Sequence, residues 1–185
     1  MQVHELDIPD VKVFSPNRFE DPRGFFSETY KKATFDEHGL AINFVQDNVS
    51  VSTQKGTVRG LHFQIPPWDQ DKLVMVPQGS ILDVAVDIRR DSNTYGQYVC
   101  AEISAERWNQ ILVPKGFAHG FCTLEANTTV MYKVSNYYSP DHDRGILWCD
   151  EDLCIKWPVS VANALVSEKD QHLPGIAELK SQFTI

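Results

Sequence analysis

The chain is poor in the features that would take it out of the class of ordinary globular proteins. None of its four cysteines, Cys100, Cys122, Cys149 and Cys154, stands in a C-x-x-C pair, so neither a thioredoxin-like redox motif nor a zinc ribbon is encoded. Cys100 and Cys122 sit in apolar, strand-like runs where a free thiol behaves as a small hydrophobe. Cys149 and Cys154 have no matched second pair, and none of the four is assigned a role. No stretch reaches the roughly 20 apolar residues of a membrane span. The first residues, M-Q-V-H-E-L-D, carry neither the basic stretch nor the apolar run of a secretory signal. Positive charge is also scarce: 17 Lys and Arg against 25 Asp and Glu give a net charge of −8. A protein lacking a positive field is not built for sequence-independent binding of nucleic acid or an anionic membrane. The expectation is a cytoplasmic protein whose anionic ligands, if any, are held by a local cluster of Arg and Lys. There are no long repeats, low-complexity tracts or linkers, and 185 residues with 42% hydrophobic content suit one domain, 1–185, with a sizeable core.

What is present is β pattern. A short strand around Val11 precedes a turn at Ser15 to Arg18, and G-F-F-S-E-T-Y, Gly24 to Tyr30, reads as another strand. Lys31 to His38 is the best helix of the first half, closed by Gly39. In N-F-V-Q-D-N-V-S-V-S, period-two alternation puts Phe44, Gln46 and Asn48 on one face and Val45, Asp47, Val49 and Val51 on the other. The polar face suits a pocket wall or open solvent equally well. Lys72 to Val76 and Ser80 to Ile88 flank a turn at Pro77 to Gly79, and the second strand buries Leu82, Val84, Val86 and Ile88 on one side. Strands follow at Gln97 to Ile103, Gln110 to Val113, Phe117 to Thr123 and Thr128 to Val134, with a helical turn at Ala105 to Asn109. A last helix is expected over Ile176 to Phe183. Many short strands with few helices specify a mainly β sandwich or barrel.

The densest chemistry lies in G-T-V-R-G-L-H-F-Q, Gly56 to Gln64. Strict alternation puts His62 and Gln64 on one face and Arg59 on the other. A bulge at Gly60 would turn Arg59 and His62 toward one cavity. A lone strand His is as readily a hydrogen-bonded wall residue. Two spacings, Gly56 with five residues before His62 and Pro114-x-Gly116-x-x-His119, resemble the signature motifs of cupins. That resemblance implies a double-stranded β-helix, or jelly roll, which normally carries a metal on three His and one Glu. Here Gln64 replaces the second His, and Lys72 stands where the acid belongs. An ammonium repels a cation, but it can stabilise an oxyanion developing on a substrate carbonyl. The expectation is therefore no metal and no cofactor, with His62, His119 and Asp69 as the alternative ligand set. Tyr132 alternates with Val130 and Val134, which offers a phenol to the interior as a proton donor or as a tied core residue. Asp170, in S-E-K-D, is either a carboxylate that orients an imidazole or part of a capping turn.

The blocks S-P-N-R-F-x-D-x-R-G-F-F-S-E-T-Y, Q-D-N-x-S, R-G-L-H-F-Q, D-V-A-V-D-I-R, G-F-A-H-G-F and Y-Y-S-P-x-x-D-R-G-I, followed by W-P and S-E-K-D, resemble dTDP-4-dehydrorhamnose 3,5-epimerases over roughly residues 14 to 174. The resemblance implies metal-independent epimerisation of dTDP-4-keto-6-deoxyglucose at C3 and C5. It makes His62 the base, Asp170 its partner, Lys72 the enolate-stabilising cation and Tyr132 the acid on the opposite ring face. It also implies diphosphate ligands at Arg23 and Arg59, nucleotide or sugar contacts at Glu28, Gln46, Asp47, Asn48, His119, Asp143 and Lys169, and a base-stacking Tyr138. Members are homodimers with exchanged N-terminal strands. A mono-epimerase, or an epimerase of a related keto-sugar nucleotide, is the alternative. Asp71 departs from the pattern by standing directly before Lys72, where it either pairs with the ammonium or points away. Val49, Met75, Pro77, Trp68 and Asp69 are further departures.

Overall fold

The computed structural model describes residues 1–179. In chain order the elements are β1 (Gln2–Glu5), β2 (Lys12–Ser15), β3 (Phe19–Asp21), β4 (Gly24–Phe26), α1 (Lys32–Glu37), β5 (Gln46–Ser52), β6 (Thr57–Gln64), β7 (Lys72–Gln78), β8 (Ser80–Asp87), β9 (Tyr98–Ser104), β10 (Gln110–Val113), β11 (Phe117–Thr123), β12 (Thr128–Val134), β13 (Asp143–Gly145), β14 (Leu165–Val166) and α2 (Glu168–Gln171). One sheet runs β1-β2-β10-β7-β12-β5, a second β13-β6-β11-β8-β9 with β14 parallel to β6, and β3-β4 form a separate hairpin. This is the mainly β jelly roll that the spacings implied.

Period-two alternation gives each sheet two faces, and both are covered over the middle strands. Between the sheets, Val74, Val76, Ile111 and Val130 meet Ile81, Ala85, Phe117 and Phe121. On the reverse of the second sheet, Leu61, Phe63, Val84, Val86 and Ala118 pack under Ile146, Leu153 and Ile176 from the C-terminal segment. On the reverse of the first, Phe14, Leu73 and Leu112 are capped by Phe35 of α1, whose ring stacks on Phe14 with centroids 4.7 Å apart. The apolar face read for β8 is thus the outer one, so Asp83 and Ala85 point between the sheets.

Several expectations needed correction. β1, the β3 strand, β13 and β14 were not anticipated. The strand expected over 24–30 stops at Phe26, because the segment beyond is held by side chains instead of a neighbouring strand. Trp108 Nε1 donates to Ser27 Oγ (2.9 Å) and Gln110 Nε2 to the Thr29 carbonyl (2.7 Å). β7 runs on through Pro77 to Gln78 and the chain reverses at Gly79, whose φ of +81° and closeness to Thr128 exclude a side chain. No helix forms over 105–109. Trp108 adopts φ +52°, and Asn109 closes the turn by accepting from Ser104 N–H and donating to the Glu102 carbonyl. Of the helix expected over 176–183, the described residues form one 3-10 turn, Ile176–Glu178, after Pro174 and Gly175, and 180–183 lie outside the described residues. On β5 the polar residues Gln46 and Asn48 are half-buried, whereas Val49 and Val51 are 63% and 55% exposed.

Candidate active site

The centre of the site is made by one irregularity in β6. Along β11, His119 pairs with His62 and Phe121 with Arg59, so two steps on β11 match three on β6. That extra residue is the bulge at Gly60. Gly60 has φ +126°, and a Cβ there would fall 2.6 Å from the Gly120 Cα and 2.8 Å from the His119 carbonyl oxygen. Only glycine fits, and the parity shift turns Arg59 and His62 into the same cavity. Leu61 and Phe63 then face the outer core and anchor the strand from behind.

The cavity has a volume of about 560 Å³, and its lining includes Arg59, His62, Lys72, His119, Tyr132 and Asp170. The His62 Nε2–H donates to Asp170 Oδ1 at 2.7 Å, and Gly60 N–H donates to the other carboxylate oxygen at 3.2 Å. Asp170 is held by α2, where Ser167 caps the helix by accepting from Asp170 N–H. Burial alone would push its carboxyl upward. The His62 hydrogen bond and charge, with the Gly60 N–H, outweigh that and hold it below the usual range. An anionic carboxylate on Nε2 fixes the imidazole's orientation and tautomer, leaving Nδ1 as the ring nitrogen able to take a proton.

Lys72 enters from β7 and donates from Nζ to the His62 carbonyl (3.2 Å). Burial lowers its pKa to about 8, against the opposing charges of Asp143 and Asp83. The neighbouring Asp71 points away. It accepts from Ser135 Oγ and from Lys115 N–H, and its own N–H donates to Ser135 Oγ, which decides between the two orientations left open by the sequence. Tyr132 is directed inward from β12. Burial raises its pKa, opposed by Arg59, so the phenol keeps its proton. His119 is buried and donates from Nε2 to both oxygens of Asp83 (3.0 and 2.9 Å). Asp83, fully buried on the face of β8 that points between the sheets, was not among the expected site residues.

A second compartment of about 300 Å³ shares His62, Lys72, Tyr132 and Lys169 with the first and adds Gln46, Asn48, Tyr138 and Asp143. Lys169 Nζ binds Asp143 Oδ2 at 2.5 Å, and the Tyr138 hydroxyl reaches the same oxygen at 3.4 Å. Three expected contact residues lie elsewhere. Asp47 faces outward by the alternation of β5 and pairs with Lys133 (2.8 Å). Arg23, its side chain 89% exposed, sits on the β3–β4 hairpin against Asp21, and Glu28 lines a small separate pocket with Met1 and Phe19. The alternative metal set is not assembled, because Asp69 lies on the wall of another groove beside Lys115. Gln64, at the cupin ligand position, spends its amide on three backbone groups.

Comparison with known proteins agrees with this geometry. Residues 5–178 match the family model described as dTDP-4-dehydrorhamnose 3,5-epimerase. The protein of that name from Sinorhizobium fredii is 47% identical over 183 residues, covering 99% of this chain and 93% of its own. The crystal structure of the Bacillus anthracis enzyme with TDP and PPi bound superposes with a TM-score of 0.91 at 52% identity, over 94% of this chain and 98% of that one. A Legionella pneumophila dTDP-6-deoxy-D-glucose-3,5-epimerase in complex with dTDP-4-keto-L-rhamnose gives 0.93 at 39% identity, over 98% and 95%. The chain belongs to the dTDP-4-dehydrorhamnose 3,5-epimerase family, a family of isomerases.

Proposed function

We propose that the chain converts dTDP-4-keto-6-deoxy-D-glucose to dTDP-4-keto-L-rhamnose by inverting C3 and C5 in turn. The observation that carries this is the convergence of the His62–Asp170 pair, Lys72 and Tyr132 on one cavity. Both carbons flank the C4 carbonyl, so one base and one cation serve each. His62 removes the proton, and Asp170 stabilises the imidazolium that forms. The C–H electron pair moves into the C4–O enolate, held by the Lys72 ammonium. Tyr132 delivers its phenolic proton to the opposite face, which inverts the centre, and solvent then restores both groups. Only protons move and no carbon changes its oxidation state overall, so no redox cofactor is required.

Arg59 holds the diphosphate, a task suited to a guanidinium fork. His119 contacts the sugar, while Gln46, Asn48, Asp143 and Lys169 line the compartment where the nucleotide stacks on Tyr138. Arg23 and Glu28 act from the second protomer of a homodimer with exchanged N-terminal strands, which accounts for their distance from His62 within one chain. The enzyme works in the cytoplasm.

The test is proton NMR of dTDP-4-keto-6-deoxyglucose with the enzyme in D₂O, with and without chelator and beside a His62→Ala control. Loss of both the H3 and H5 signals, dependent on His62 and indifferent to chelator, with product analysis showing L-rhamno configuration, is the expected result. Loss of one signal alone would establish a mono-epimerase instead. Binding with no exchange would overturn the catalytic assignment.

A further inference from the structure

Gln64 is buried at the end of β6, yet its side chain makes no part of the apolar core. Its Nε2 donates to the carbonyls of Trp68 (2.5 Å) and Tyr137 (3.1 Å), and its Oε1 accepts from Ser139 N–H (2.6 Å). The last two groups belong to the two peptide units on either side of Tyr138. One side-chain amide therefore pairs with the backbone around Tyr138 much as a neighbouring strand pairs with a ladder residue, at a place where no strand is present. The fit is chemical as well as spatial, since two acceptors and one donor are met by two N–H groups and one carbonyl. The flanking loops are fastened to each other by Asn136, which donates to the Pro67 carbonyl and accepts at its own carbonyl from Gln70 Nε2. Tyr138 itself is 58% exposed, and its hydroxyl reaches Asp143.

We infer that Gln64 is a positioning residue for nucleotide binding: its amide fixes the backbone of the Tyr138 loop so that the ring stands ready to receive a base. The position that supplies a metal ligand in other cupins has here become a loop clamp. This rests on the reading of Tyr138 as the base-stacking residue.

The experiment is calorimetric titration of dTDP, with steady-state kinetics, on Gln64→Met, Gln64→Glu, Tyr138→Ala and the Gln64→Met/Tyr138→Ala double variant. Met keeps the length and removes all three hydrogen bonds. Glu keeps the acceptor and cannot donate to the two carbonyls. Both should weaken dTDP by about 5- to 160-fold, the range for loss of one base–aromatic stack, with KM rising far more than kcat falls. In the double variant the Gln64 change should add almost nothing to Tyr138→Ala. Additive losses, a kcat loss without a KM change, or normal dTDP affinity in Gln64→Met beside a weakened Tyr138→Ala would overturn the clamp alone. Normal affinity in Tyr138→Ala would remove the stacking assignment and the clamp with it.

Discussion

Replacing Lys72 by methionine should make the protein a poorer catalyst and a more stable fold. Burial lowers the lysine from its ordinary 10.5 to about 8, and each unit is worth ~1.4 kcal/mol, so holding the ammonium in the cavity at pH 7 costs roughly 3 kcal/mol. Methionine removes that cost but forfeits the bond to the His62 carbonyl, worth about 1 kcal/mol. The net gain of about 2 kcal/mol should raise Tm by roughly 4–8 °C for a chain of this length. The sign depends on pH. The folded protein binds the Lys72 proton less tightly than the unfolded chain, so the penalty is full below about 8 and is relieved between there and 10.5. Thermal unfolding followed by circular dichroism at pH 7 and at pH 10.5, at one protomer concentration, should show an advantage for Lys72→Met that vanishes at the higher pH. Loss of the cation proposed to hold the enolate should at the same time lower kcat by about 10²–10³. An unchanged or lower Tm at pH 7, or a gain equally large at pH 10.5, would refute the reasoning.

Two further outcomes follow from the same geometry. Tyr132→Phe should retain deuterium exchange within about tenfold of wild type, while inverted product forms about 10²–10⁴ times more slowly; exchange lost in parallel with product would show that the tyrosine does more than return the proton. Gly60→Ala should lower Tm by roughly 6–12 °C, from about 3 kcal/mol of strain and clash against Gly120 and His119, and a Tm within about 2 °C of wild type would mean that the bulge yields easily.

The strands of the barrel were legible because period-two alternation and the glycine and proline punctuation are local signals. The separation of His62 and Arg59 by parity, and its repair at Gly60, were also legible, since a glycine between two chemically loaded residues has few other uses. The short pieces were not. β13 and β14 comprise three and two residues, and they are strands only because β6 lies beside them. Asp83 escaped notice for a different reason. Its role as the partner of His119 depends on which face of β8 points inward, and both faces of that strand are covered, so apolar periodicity identifies a buried face without saying which one meets the cavity. Asp47 shows the limit of reading contacts in blocks, because a run of three polar residues on a strand cannot all face one way. The stations of Arg23 and Glu28 follow from the path of the β3–β4 hairpin, which the sequence expectation drew as a longer single strand.

The bulge in β6 also makes that strand a ruler. Arg59 and His62 look into the cavity from points three residues apart, a distance of about 10 Å at full extension. One stiff segment, backed by Leu61 and Phe63 in the outer core, carries both the guanidinium and the imidazole that the proposed mechanism sets on the diphosphate and on the acidic carbons. The spacing of their Cα atoms is thereby a property of the backbone, and the Arg59 head group is steadied in turn by Ser52 Oγ (3.2 Å) and the Val51 carbonyl (3.3 Å). A ligand with the same keto-sugar but a longer or shorter link to its phosphates would be held at one end and missed at the other. On the proposed mechanism, selection for linker length would be built into the strand.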